Sequence, residues 1–311
     1  MTRSASDAST PPRARAWLSL SITPGLLLGG LGVSHLLTRA GMSPALSVTL
    51  VVLGAGLILW ALEWIHPHTV SWRPSRGAFW LDVLHSLVSA GLTSRLVEVT
   101  LLAGAAALAG TLSESGAAFW PVHWALVPQL VLALLLGELG AYTSHRICHR
   151  TAIGWRVHAV HHTPELLHWL ASGRTHPLNT VWVFTCQSIL VVILGAPAEV
   201  LSLMAVFTGI NGFLQHANVR MRPGILNAVV STSDLHRWHH AKHGPEGGVN
   251  FGNNLSVWDH VFRTYYNPKH ASHGDVMGIA NATVPERFGA HLATPFVLGR
   301  FEHETLPDPS R

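Results

Sequence analysis

Long uncharged stretches dominate this chain. Residues 16–38, 40–62, 115–137, 175–198 and 200–219 contain no Asp, Glu, Lys or Arg. A helix rising about 1.5 Å per residue needs about 20 apolar residues to cross a bilayer. The first two stretches therefore predict spans near 17–37 and 44–65, and a further span is predicted at 122–143. The region 79–112 is apolar but interrupted by Asp82, Arg95 and Glu98. It predicts one long tilted helix, or an interfacial helix leading into a span. Residues 179–194 and 198–215, separated by Gly-Ala-Pro at 195–197, predict a helical hairpin that crosses part of the bilayer.

Composition supports this pattern. Only 12% of the 311 residues are charged and 48% are hydrophobic, whereas soluble domains carry roughly 25% charged residues. The net charge of +4 and the lack of a basic run with interleaved aromatics argue against nucleic acid as a partner. The fold class expected is all-α, a polytopic membrane helical bundle with a cytosolic, histidine-rich catalytic cap. Residues 1–16 are read as a disordered tail, 17–143 as transmembrane helices, 144–268 as the catalytic region containing the 179–215 hairpin, and 269–311 as a C-terminal cytosolic extension. Arg3, Arg13, Arg15, Arg73, Arg76, Arg146, Arg150, Arg156 and Arg174 fall on one side if four spans precede residue 144. The loops 38–43 and 111–121 together hold one Arg and one Glu. This asymmetry places the N-terminus and the polar C-terminal half in the cytoplasm. Cys148 and Cys186, with no C-x-x-C, are expected as small buried hydrophobes rather than a disulfide.

Histidine departs from this apolar background. Twelve of the 22 histidines lie between residues 145 and 243. They form HRICH (145–149), HAVHH (158–162) and HRWHH (236–240), with single histidines in RTHP (174–177) and QHAN (215–218). In a helix, positions i, i+3 and i+4 share a face. His145 and His149 can then converge, and each HxxHH triplet, His158/His161/His162 and His236/His239/His240, can present three imidazoles to a common centre. One structural zinc takes four ligands, so eight clustered nitrogens point to two metals. His216 and His176 each end or precede an apolar helix and are further ligand candidates. His35, His66, His68, His85, His123, His168, His270, His273, His291 and His303 are isolated and read as hydrogen-bonded structural residues. There is no thiolate set and no HExxH. The pattern leaves a histidine-rich dinuclear redox centre or a metal transporter. Clusters at helix ends, rather than at mid-membrane, favour catalysis.

The order and spacing of these boxes resemble the fatty acid hydroxylase/sterol desaturase superfamily of integral membrane di-iron enzymes. HRICHR is similar to its first box, VHAVHHTP to its second, and GRTHPLN and QHANV to segments that accompany them. NFGNNLSVWDHVFRTYYNP, 250–268, resembles the segment that follows the third box. The resemblance covers roughly residues 138–268. Departures are Glu138 for an Asp ahead of the first box, Asn179 where Glu often follows HPL, and Arg263 where Gly usually precedes Thr. The resemblance implies two Fe2+ ions, O2 as co-substrate, and hydroxylation or desaturation of an unactivated C–H position of a lipid drawn from the bilayer. It assigns the iron to His145, His149, His158, His161, His162, His236, His239 and His240, with His216 as a ninth ligand. It names no catalytic residue beyond the ligands. With no flavin, haem or iron–sulfur motif in the chain, electrons are expected from an external cytochrome b5- or ferredoxin-like donor with its reductase. Asp259, Asn250 and Arg174 are candidate supports of the site. Trp155, Trp169, Trp238 and Trp258 lie near the boxes, with Trp155 and Trp169 expected as membrane-interface anchors.

Overall fold

A computed structural model describes residues 13–112, 119–242, 248–268 and 276–301. It is all-α: among the described residues there are isolated β-bridges but no strand. Helices α1 (Arg13–Arg39) and α2 (Pro44–Ile65) match the first two predicted spans. Ser43 caps α2 by accepting from the Leu46 amide, and Pro44 occupies its first turn. The burial pattern of α2 is inverted relative to a soluble helix. Ser47, Ala55, Gly56 and Leu59 are buried, while Leu50, Leu53, Leu57, Ile58, Trp60 and Trp64 are exposed. Small residues inside and large apolar ones outside suit a helix solvated by lipid. Four helices are long and apolar enough to cross a membrane: residues 16–39 of α1, then α2, α5 (Leu126–Arg150) and α8 (Ala198–His216). The chain is a polytopic helical membrane protein.

The interrupted region 79–112 forms α3 (Arg76–His85), a π-helical stretch at Ser86–Leu92, and α4 (Thr93–Leu112) in direct succession. Its Asp82 is buried and used.

One sequence expectation changes: α5 runs to Arg150 rather than ending at 143, so the membrane helix carries the HRICH box itself. α7 (Pro177–Ile193) and α8 follow one another through a short turn and meet at the Gln187–Thr208 bond. Between them, Gly195 takes φ +83 and closes a Schellman cap, with Gly195 N–H donating to Val192 and Ala196 N–H to Val191. α7 then packs on α5 and α4, and α8 on α1, α2 and α5, so α5 is wedged between them. The described residues after 268 fold back onto the rest of the chain. Met277 bridges Ala241, and α11 (Phe288–Val297) packs on α3 and on α6 (Ala152–His158). The expected 1–16 tail lies largely outside the described residues, as do 269–275 and 302–311.

The wedge requires close backbone approach. A Cβ on Gly140 of α5 would lie 1.9 Å from the Cys186 carbonyl oxygen of α7, a contact only glycine avoids. At one end of the bundle, the ends of several helices are tied together. Ser19 of α1 bonds His66 at the end of α2. Arg220 N–H donates to the His66 carbonyl, and Arg222 N–H to the Ser19 carbonyl. The histidine boxes sit at this end.

Arg263, where glycine is usual, has φ +58. A side chain in this left-handed region costs roughly 1–2 kcal/mol. Arg263→Gly is expected to stabilise the protein by up to about 1 kcal/mol, the remainder being offset by glycine's larger unfolded-state entropy. Thermal unfolding in detergent measures this, and a fall in the midpoint would contradict it.

Candidate metal centre

Nine histidines from five helical elements meet here. His145 and His149 end α5, His158 ends α6, His161 and His162 lie in the 3-10 turn Ala159–His162, and His216 is the last residue of α8. His236, His239 and His240 come from α9 (Ser233–His240). Their nitrogens form two groups, each with all ligand atoms within 4.8 Å of one another. One contains His145, His149, His158, His162 and His239; the other His161, His216, His236 and His240.

This grouping corrects the expectation that each triplet serves one centre. In both HxxHH boxes the i, i+4 pair stays together and the i+3 residue crosses to the other group. At about 100° per residue, i+4 lies about 40° to one side of i and i+3 about 60° to the other, and the third box makes this division inside the unbroken α9, Ser233–His240; in the second box the same division holds where the backbone passes from α to 3-10 at Ala159. His162 and His240 stack at 4.3 Å between centroids and join the two groups.

The outer ring nitrogens fix the protonation pattern. Nδ1 of His145 donates to the Phe251 carbonyl (2.8 Å), His158 to Asn179 Oδ1 (3.1 Å) and His161 to the Arg174 carbonyl (3.2 Å). His216 donates to Gly212 (2.9 Å) and His239 to Val249 (2.9 Å). A neutral imidazole with its proton on Nδ1 presents a bare lone pair at Nε2. His145 Nε2 and His158 Nε2, both of this kind, lie 3.1 Å apart. Nε2 pairs His216–His236, His161–His240, His236–His240 and His158–His162 lie at 3.0–3.2 Å. In the His145–His158 pair, lone pairs facing each other at this distance repel unless a cation lies between them. The buried Nε2 atoms of His149 and His239 have no hydrogen-bond partner. The donor set fits two metal ions.

Burial also keeps the imidazoles neutral. It pushes His158, His162, His236, His239 and His240 well below the ordinary histidine range, and neighbouring imidazoles add to this. Burial lowers His161 to about 4. The unfolded chain would take up these protons near pH 6.5, so this contribution to stability is lost as pH falls below that value.

Carboxylates support the site without joining it. Asp82 accepts from Arg174 Nε (2.5 Å) and from His168 Nε2 (2.8 Å), fixing the Arg174 carbonyl that receives His161. Burial alone would raise the Asp82 carboxyl, but His168 and Arg174 hold it below its usual value. Asp259 accepts from the Phe251 and Gly252 amides and from Thr264. Asn250 sits at φ +53 between the two carbonyls that receive His239 and His145, and its amide bonds Leu235 and Tyr266. The three support candidates from sequence thus all hold a carbonyl behind a histidine.

Sequence reasoning missed Asn179 and Glu138 in this role. Buried Glu138 accepts from the Asn253 (2.5 Å) and Asn254 (2.9 Å) amides, beside Phe251. The available signal was a lone acid seven residues before His145 in an otherwise apolar helix. His176 joins neither group. Its Nδ1 accepts from the Leu178 amide and its Nε2 bonds the Leu292 carbonyl, so it caps α7 instead. Of the isolated histidines, His85 and His291 pair at 2.9 Å.

A cavity of about 500 Å³ reaches the five-membered group. Its lining includes His149, His162, His239, Trp155, Arg150 and Lys242. Trp155 is a wall of this cavity, and Trp169 packs on Phe213. Trp238 packs on Tyr266, and Trp258 bonds the Leu135 carbonyl.

Comparison with known proteins agrees with this site. The fatty acid hydroxylase family matches residues 130–264, which span all three histidine boxes and most of the 250–268 segment. An ornithine lipid hydroxylase of Rhizobium tropici is 33% identical over 91% of this chain and 86% of its own length. The human alkylglycerol monooxygenase is 28% identical over 43% of this chain, and that of Danio rerio 27% over 43%, covering 29% and 30% of those proteins. No solved structure matches the chain. The chain belongs to the fatty acid hydroxylase/sterol desaturase superfamily, and it is an O2-dependent oxidoreductase of the lipid-hydroxylase kind.

Proposed function

We propose that the protein is a di-iron monooxygenase that hydroxylates a polar membrane lipid. The observation that carries this reading is the pair of all-histidine groups with lone pairs turned inward. His145, His149, His158, His162 and His239 would hold one iron, and His161, His216, His236 and His240 the other. When bound, the iron pair supplies O2 activation toward an unactivated C–H bond. The balance is one C–H bond, one O2, two electrons and two protons in, and one alcohol and one water out. Hydroxylation is preferred to desaturation because the relatives that match are named hydroxylase and monooxygenase. The relative covering most of the chain is named for ornithine lipid, so a lipid with a polar, amino-acid-bearing head is the first substrate to test.

The chain's own residues orient and insulate. Five backbone or amide acceptors hold protons on Nδ1 and keep Nε2 free. Such outer partners set ring orientation and raise ligand basicity. Helix ends bury most of the nine imidazoles. The exposed apolar faces of the spans give the lipid a lateral approach. The N-terminus and the boxes would face the cytoplasm, the side favoured by the basic residues. The joined ends of α1, α2 and α8 support a common side for them.

Expression in a bacterium that makes ornithine lipids tests the reaction. Lipid extracts are expected to gain a species heavier by one oxygen atom, carrying 18O when grown under 18O2. An unchanged lipid profile, or a desaturated product alone, would contradict it. Asn179→Ala removes the acceptor behind His158 and is expected to lower iron affinity or turnover about 10- to 100-fold. Asn179→Asp, which keeps an acceptor, should retain most of both. Equal loss in the two variants would show that Asn179 acts only in packing.

A further inference from the structure

The proposed reaction consumes two electrons per turnover, and the chain contains no flavin, haem or iron–sulfur motif of its own. Electrons must therefore cross from a docked donor to imidazoles that are largely buried. Tunnelling falls steeply with distance, so the entry point should be a polarisable ring touching both the ligands and the surface.

Trp155 meets that requirement. Its ring lies 5.4 Å between centroids from His149 and 5.4 Å from His162, both in the five-membered group. It is part-exposed and lines the 500 Å³ cavity beside those same histidines. Phe251 also contacts the group but is fully buried. Charge is the second observation. Arg150 and Lys242 line the cavity, Arg156 follows Trp155 on α6, and no Asp or Glu is among the lining residues. None of the three cations forms an ion pair among the described residues.

We infer that Trp155 is the electron entry point of the histidine centre, and that the basic surface around it docks a small acidic one-electron carrier protein. This inference rests on the di-iron reading. The carrier docks twice per turnover. Two reduced carriers, O2, two protons and the C–H substrate yield two oxidised carriers, water and the alcohol. The indole shortens the gap and is not consumed. Opposite charge brings the carrier in, so its on-rate should fall with salt.

The test is anaerobic stopped-flow reduction of the iron-loaded protein, with iron content measured alongside. Two reductants are compared: a plant-type [2Fe–2S] ferredoxin, which is acidic, and dithionite, which is small. Trp155→Leu is expected to slow reduction by ferredoxin about tenfold or more, with iron content unchanged. Reduction by dithionite should hardly change. Arg156→Glu should slow the ferredoxin reaction about tenfold at low salt and flatten its salt dependence. Equal slowing of both reductants by Trp155→Leu would overturn the entry role. So would unchanged ferredoxin kinetics in both variants. Wild-type protein that holds iron yet takes no electrons from ferredoxin overturns the acidic partner. Wild-type protein that loads no iron overturns the underlying di-iron reading instead.

Discussion

Five hydrogen bonds on the outer side of the imidazoles organise this molecule. Each holds a proton on Nδ1 and turns a bare Nε2 toward its neighbours. The arrangement is self-repelling without cations and strongly attractive with them. It explains why the surrounding residues are so particular. Glu138 and Asp259 hold the 251–254 turn by its amides, Asp82 and Arg174 hold the 174 carbonyl, and Asn250 adopts a left-handed backbone between two acceptors. Metal binding and cap stability are then linked, since a site absent from the unfolded chain contributes its binding energy to folding.

The membrane bundle serves this geometry. α5 is wedged between α7 and α8 with glycine at its closest approach, and its last turns deliver His145 and His149. α8 ends on His216, and the joined ends of α1 and α2 brace the residues just after it.

Much of this was legible in the chain itself. Uncharged stretches located the spans because lipid tolerates few charges, and the spacing of the boxes showed which residues cluster. The partition into two groups was not legible. It depends on how the segments that carry the boxes pack against one another, which decides the group that each imidazole faces. The backbone acceptors at Phe251, Val249 and Arg174 are likewise invisible, because every residue carries a carbonyl. Gly-Ala-Pro at 195–197 marked the turn between α7 and α8, while the packing of α5 against both helices had no signal in the sequence. Arg263 was visible as a departure, and only its positive φ explains why glycine suits the position.

The central claim is that two separate all-histidine groups each hold a metal ion. Iron quantification of protein purified from iron-replete cells, with X-ray absorption at the iron edge, tests it most directly. The account predicts two irons per chain, with first-shell scattering dominated by imidazole nitrogen. One iron per chain, zinc without iron, or a sulfur ligand would contradict it.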